Sequence, residues 1–85
     1  MQGKKIEMYK VLNREISVHD YLIGPSKYEQ KGNGKCLKLQ IEFENEKRVV
    51  FTGSVILQEM IQQVNRTDFP FSTTIKKEEE RFFFT

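Results

Sequence analysis

The chain is poor in the residues that carry most recognisable chemistry. Its 85 residues include one cysteine, one histidine, two prolines and no tryptophan. A single thiol, Cys36, excludes an internal disulfide and fits a reducing compartment. One cysteine and one histidine, His19, cannot furnish the ligand set of a zinc site. No apolar run approaches the roughly 20 residues that span a bilayer. The opening "MQGKKIEMYK" has lysines but no apolar stretch behind them, so it does not read as a secretory signal. These absences predict a cytoplasmic protein with no membrane segment, no metal and no cofactor.

What is present suffices for one modest core. The length fits a single domain, 1–85, and 38% hydrophobic against 31% charged residues fits a globular chain. Seven phenylalanines add large apolar area per residue. A net charge of +2 announces no partner, but its distribution is uneven. Between Gly24 and Gln40 stand Lys27, Lys31, Lys35 and Lys38 against the single acid Glu29. The rest of the chain holds ten basic and eleven acidic groups, so the surplus sits in this one stretch.

Periodicity divides the chain into short elements. "KKIEMYKVL" fits two patterns: Ile6, Met8 and Leu12 alternate as in a strand, while Met8, Val11 and Leu12 suit a helical face; strand is the favoured reading. Asn13-Arg14 reads as a turn. "EISVHDYLIG" reads as a strand with Ile16, Val18 and Leu22 on one side and His19, Tyr21 and Ile23 on the other, interrupted by a bulge at Asp20. Gly24-Pro25 ends it, and Asn33-Gly34 is a tight-turn dipeptide. "CLKLQIEF" alternates cleanly, and "RVVFT" returns beside it after "ENEK".

At Gly53-Ser54 the period changes from two to about 3.6. Leu57, Met60, Ile61 and Val64 form a helix stripe, Ser54 an N-cap and Asn65 a left-handed stop. "FSTTIKK" and "RFFFT" then read as strands joined through the glutamates Glu78 to Glu80. This order predicts a β-rich α+β fold. It is either a five- or six-stranded curled sheet or a small OB-fold-like barrel with one helix between its third and fourth strands.

Three segments, "PSKY", "CLKLQIEFENEKRVVFTGSVILQEMI" and "FPFSTTIKKEEERFFFT", resemble a group of small proteins encoded by phages and prophages of gut bacteria. The resemblance runs from about Ser17 to Thr85, with "VVFTGS" and "PFSTTI" its most specific pieces. It implies a phage or mobile-element setting, with a role in replication, recombination or host takeover. It brings no catalytic residues.

Two sites are candidates for ligand binding. The first is the lysine-rich stretch, where Lys27, Lys31, Lys35 and Lys38 could contact phosphates and Tyr28, with Tyr21 on the adjoining strand, could stack bases. Gln40 and Arg48 extend it on the outward side of the middle hairpin, and Glu42, Glu44 and Glu46 limit it. The competing reading is a solvated hairpin whose lysines supply solubility. The second is Thr52-Gly53-Ser54, a strand-to-helix turn that could hold a phosphate or a small nucleotide. It lacks a P-loop's spacing and lysine, and a simple helix cap is the favoured account of it.

No catalytic constellation is visible. His19 and Asp20 are neighbours on a strand and point to opposite faces, so the carboxylate cannot orient the imidazole. Cys36 reads as a half-buried structural thiol. "RFFFT" holds more aromatic surface than a one-sided strand needs, which points to burial or to self-association through the last strand. The expectation is a non-enzymatic protein that binds single-stranded nucleic acid. The alternatives are a module that inhibits a host defence protein, or small-nucleotide sequestration at the strand-to-helix turn.

Overall fold

A computed structural model describes residues 3–25 and 34–85. Six strands form one open sheet in the order β1-β4-β3-β2-β5-β6. They are β1 (Lys4–Lys5), β2 (Glu15–Pro25), β3 (Lys35–Phe43), β4 (Glu46–Thr52), β5 (Phe71–Glu78) and β6 (Arg81–Phe84). Two α-helices, α1 (Met8–Val11) and α2 (Val55–Gln62), and a 3₁₀ turn at Arg66–Asp68 complete the described elements. Strands β2, β3 and β4 are consecutive antiparallel neighbours, and β5 returns past α2 to lie beside β2. That spatial order, 5-2-3-4, is a Greek key.

The curled-sheet expectation holds, whereas the closed-barrel alternative does not. The free side of β4 is taken by the two-residue parallel strand β1, and β6 ends the sheet at its other side. Helix α2 does fall between the third and fourth strands of the Greek key, and it packs on β6.

One face of the sheet makes the core. Alternation in β3 sends Leu37, Leu39, Ile41 and Phe43 inward, where they meet Ile16 and Val18 of β2, Val50 of β4 and Ile75 of β5. Leu57 and Ile61 of α2 are fully buried with them. Each such side chain contributes about 1.5–3 kcal/mol of transfer free energy.

The helix stripe is shorter than the periodicity suggests. Gln58 is buried beside Leu57 and Ile61, and its Nε2 donates to the Lys35 carbonyl at 3.2 Å. This bond ties α2 to the start of β3. Ser54 caps the helix, its Oγ accepting from the Leu57 amide at 3.2 Å. Asn65 is not a left-handed stop: at φ −66° its side chain instead accepts from the Thr67 amide and starts the 3₁₀ turn.

The N-terminal segment also departs from the strand reading. Only Lys4–Lys5 pairs as a strand, and Met8–Val11 is a helical turn. The helical face decides the matter because Val11 is fully buried and Met8 and Leu12 pack against the core. In β2 the bulge is present, with register shifting between Val18 and Asp20. It reverses the facing of the residues after Asp20. Tyr21 and Ile23 pack against the core, whereas Leu22, expected beside Ile16 and Val18, is 54% exposed on the other face.

Arg66 fastens this bulge. Its guanidinium pairs with Asp20, donates to the Tyr21 carbonyl and lies 4.0 Å from the Tyr21 ring centroid. Phe69 packs against the same tyrosine at 5.9 Å.

Two hairpins turn through adjacent left-handed residues, Glu44-Asn45 at φ 52° and 63° and Glu79-Glu80 at φ 49° and 67°. Such turns favour Asn-Gly, so the glutamate pair is a poor choice for its backbone. Glu79→Asn with Glu80→Gly is expected to stabilise the protein by about 1 kcal/mol, raising Tm by roughly 4–8 °C. Thermal unfolding followed by circular dichroism checks this.

Candidate nucleic-acid interface

The outer face of the sheet carries the charge asymmetry into three dimensions. In β3, Cys36, Lys38, Gln40 and Glu42 alternate with the core residues and so face outward. Lys38 stands directly between Leu22 of β2 and Phe51 of β4. Leu22 and Phe51 are 54% and 43% exposed, large values for apolar side chains within strands. Lys5 enters from β1 beside Val49, which is in turn registered with Gln40.

The result is an aromatic ring bracketed by two ammonium groups. Lys38 Nζ lies 5.5 Å and Lys5 Nζ 5.6 Å from the Phe51 ring centroid. Both fall within cation–π range, so the lysines hold charge beside the ring even without a ligand. Gly3 sets β1 in this place: at φ +109°, a Cβ there would lie 2.5 Å from the Lys47 carbonyl oxygen. The basic patch is bounded along the outer face, where Glu42 is registered with Ser17 and Lys47.

The lysine-rich connection opens from the same end of the sheet. Its described base pairs Pro25 with Lys35, three positions along β3 from Lys38, about 10 Å away and by alternation on the opposite side of the strand. Gly24, registered with Cys36 between them, leaves open space; a Cβ there meets no atom of the described residues within 4 Å. Lys27, Tyr28 and Lys31 lie outside the described residues.

Two other predicted site residues do not join this patch. Tyr21 is registered with Leu39 and packs on the core side, its ring engaged by Arg66 and Phe69. Arg48 is registered with Ile41 and so shares the inner face, where it donates to Glu46 at 2.8 Å. One bulge moved Tyr21 relative to strict alternation, and the two-residue turn at Glu44-Asn45 fixed Arg48 opposite a core residue.

Phe51 and Lys5 are the residues that sequence reading missed. A signal for Phe51 was available. Val49, Val50 and Phe51 are consecutive apolar residues in a strand with one core face, so at least one of the three must point away from it. Lys5 had no such signal, because its position depends on a two-residue parallel pairing.

The remaining candidates resolve as local structure. At Thr52-Gly53-Ser54 the Thr52 hydroxyl accepts from the Ser54 amide at 3.1 Å and the Ser54 hydroxyl caps α2. Both side chains are thereby engaged in forming the turn. His19 Nε2 lies 3.8 Å from Glu42 while Asp20, registered with Gln40 after the bulge, pairs with Arg66, so the two neighbours take different partners. Cys36 is half-buried, and no group of three or more potential metal ligands occurs among the described residues. Phe82 and Phe84 pack against the core, and Phe83 is half-buried beside Ile56 and Arg81. No described helix is long and apolar enough to cross a membrane.

No curated protein matches the chain, and neither does any solved structure. A family model described as a domain of unknown function, DUF8468, matches residues 2–85. With nearly its whole length covered, the chain belongs to the DUF8468 family.

Proposed function

We propose that this protein is a non-enzymatic binder of single-stranded nucleic acid, in the setting of a phage or other mobile element, and that it acts in the host cytoplasm. The strand lies on the outer sheet face. A base stacks on Phe51, and Lys5 and Lys38 contact the flanking phosphates. Lys35, with Lys27, Tyr28 and Lys31 of the adjoining connection, extends the contact beyond the sheet.

The observation that supports this reading is the exposed Phe51 ring with an ammonium group at 5.5 and at 5.6 Å. A solvated hairpin alone accounts for scattered lysines, but not for an aromatic ring kept exposed between two of them. Stacking supplies about 1–3 kcal/mol per base without regard to sequence, and lysines supply the salt-dependent remainder. Single strands suit the site because a duplex hides its base faces.

A protein partner is the second reading, and the exposure of both Leu22 and Phe51 on one face, either side of Lys38, favours it. An inhibitor of a host protein would use that apolar pair as its anchor. Self-association through β6, which ends the sheet, belongs with this reading. It predicts a stable complex indifferent to oligonucleotides.

Fluorescence anisotropy with a labelled oligonucleotide separates the two. Affinity is expected to fall roughly ten- to twentyfold between about 50 and 200 mM salt if about three of the five lysines contact phosphates at once. Phe51→Leu should weaken binding about tenfold, and Lys38→Gln should reduce the salt slope. Absence of binding at low salt, or binding without salt dependence, contradicts the proposal.

Gly24→Val gives a steric test on the same face. With no atom of the described residues within 4 Å of the new Cβ, the fold should tolerate it and Tm should stay within a few degrees. The branched side chain would fill the space beside Lys38 and weaken binding several-fold. Unchanged affinity would place the ligand elsewhere.

A further inference from the structure

A cavity of about 420 Å³ lies at the other side of β1, between the β1–α1 segment and the β3–β4 hairpin. Ile6 and Phe43, both largely buried, line its floor. Four cations converge on it, Lys5, Lys10, Arg14 and Arg48, against the carboxylates of Glu7, Glu44 and Glu46.

These charges are unevenly satisfied. Arg48 holds Glu46 in a hydrogen bond at 2.8 Å, which takes that pair out of play. Arg14 lies 3.8 Å from Glu44, and Lys5 lies 3.9 Å from Glu7, both beyond hydrogen-bond distance. Lys10 has no carboxylate within ion-pair range among the described residues, its ammonium resting 5.9 Å from the Tyr9 ring. Meanwhile the Arg14 guanidinium is oriented by the Phe43 ring, 5.3 Å away. A planar fork held in place with its donors unused is suited to a bidentate oxyanion.

Lys5 connects this cleft to the proposed strand path, because it lines the cleft and also flanks Phe51. We propose that the cleft receives the terminal phosphate of the nucleic-acid strand bound on the outer face. The inference rests on the single-strand reading of that face. A strand passing over the β1 edge at Lys5 meets a pocket that Ile6 and Phe43 line together with the cations. A phosphate monoester carries up to two negative charges and offers paired oxygens, so it displaces the exposed Glu44 carboxylate from Arg14. Lys10 supplies the second charge.

The test compares oligonucleotides of one sequence carrying a 5′-phosphate, a 3′-phosphate or only hydroxyl ends, each titrated against the full chain. One of the phosphorylated ends is expected to bind roughly tenfold tighter than the hydroxyl-ended strand, about the worth of one charge-assisted contact pair. The double variant Lys10→Gln, Arg14→Gln should abolish that difference while keeping the hydroxyl-ended affinity within about twofold of the wild type. Both side chains are exposed at the rim, and a thermal melt of the variant checks that the fold persists. Equal affinity for all three ends in the wild type overturns the inference and leaves the outer-face reading standing. So does a preference that survives in the double variant. If no oligonucleotide binds at all, both readings fall together.

Discussion

Strand β2 has to serve two neighbours and one core, and strict alternation cannot satisfy both. Its first residues pair with β5 and nearly its whole length pairs with β3. The bulge between Val18 and Asp20 resolves the conflict by inserting one unpaired residue and bending the strand. Ile16 and Val18 before it, and Tyr21 and Ile23 after it, then all reach the core. Without the inserted residue, Leu22 would point inward and Tyr21 outward. The Arg66 clasp on Asp20 and on the Tyr21 ring holds this choice from a separate segment of the chain.

The outer face depends on that choice. Leu22 is turned out beside Lys38, and Lys38 stands beside Phe51, so one row across three strands is apolar, basic and aromatic in turn. Burial requirements on the inner face thus dictate which residues are available on the outer one. β1 then adds Lys5 from the neighbouring row, beside Val49, held close because Gly3 has no side chain to collide with the Lys47 carbonyl. The Gln58 bond to the Lys35 carbonyl anchors the start of β3, and with it one base of the lysine-rich connection. Fold and site share their supports.

Much of this architecture was legible in the sequence because local signals agreed with one another. The alternation of "CLKLQIEF", the change of period at Ser54 and the capping hydroxyl all led to the observed elements. The bulge at Asp20 was legible too, although its effect on Leu22 was not, since a bulge moves every residue after it by one face. The features that stayed hidden depended on pairing between distant segments. The parallel contact of Lys4–Lys5 with Arg48 and Val49 leaves no periodic trace in two residues. Arg48 read as outward-facing because its register against Ile41 is set by a turn through two left-handed residues, neither a glycine.

The lysine surplus marked one end of the sheet but not the ring and the β1 ammonium group beside it. Charge is visible as composition, whereas an exposed ring is visible only once the core has claimed its neighbours. The direct check is backbone and side-chain NMR of the full chain titrated with a short single-stranded oligonucleotide at low salt. Saturable shift changes at Lys5, Leu22, Lys38 and Phe51, with Tyr21 and Phe69 unmoved, are the predicted result. Shifts confined to the Tyr21–Phe69–Arg66 cluster, or no saturable shifts on the outer face, would contradict the account.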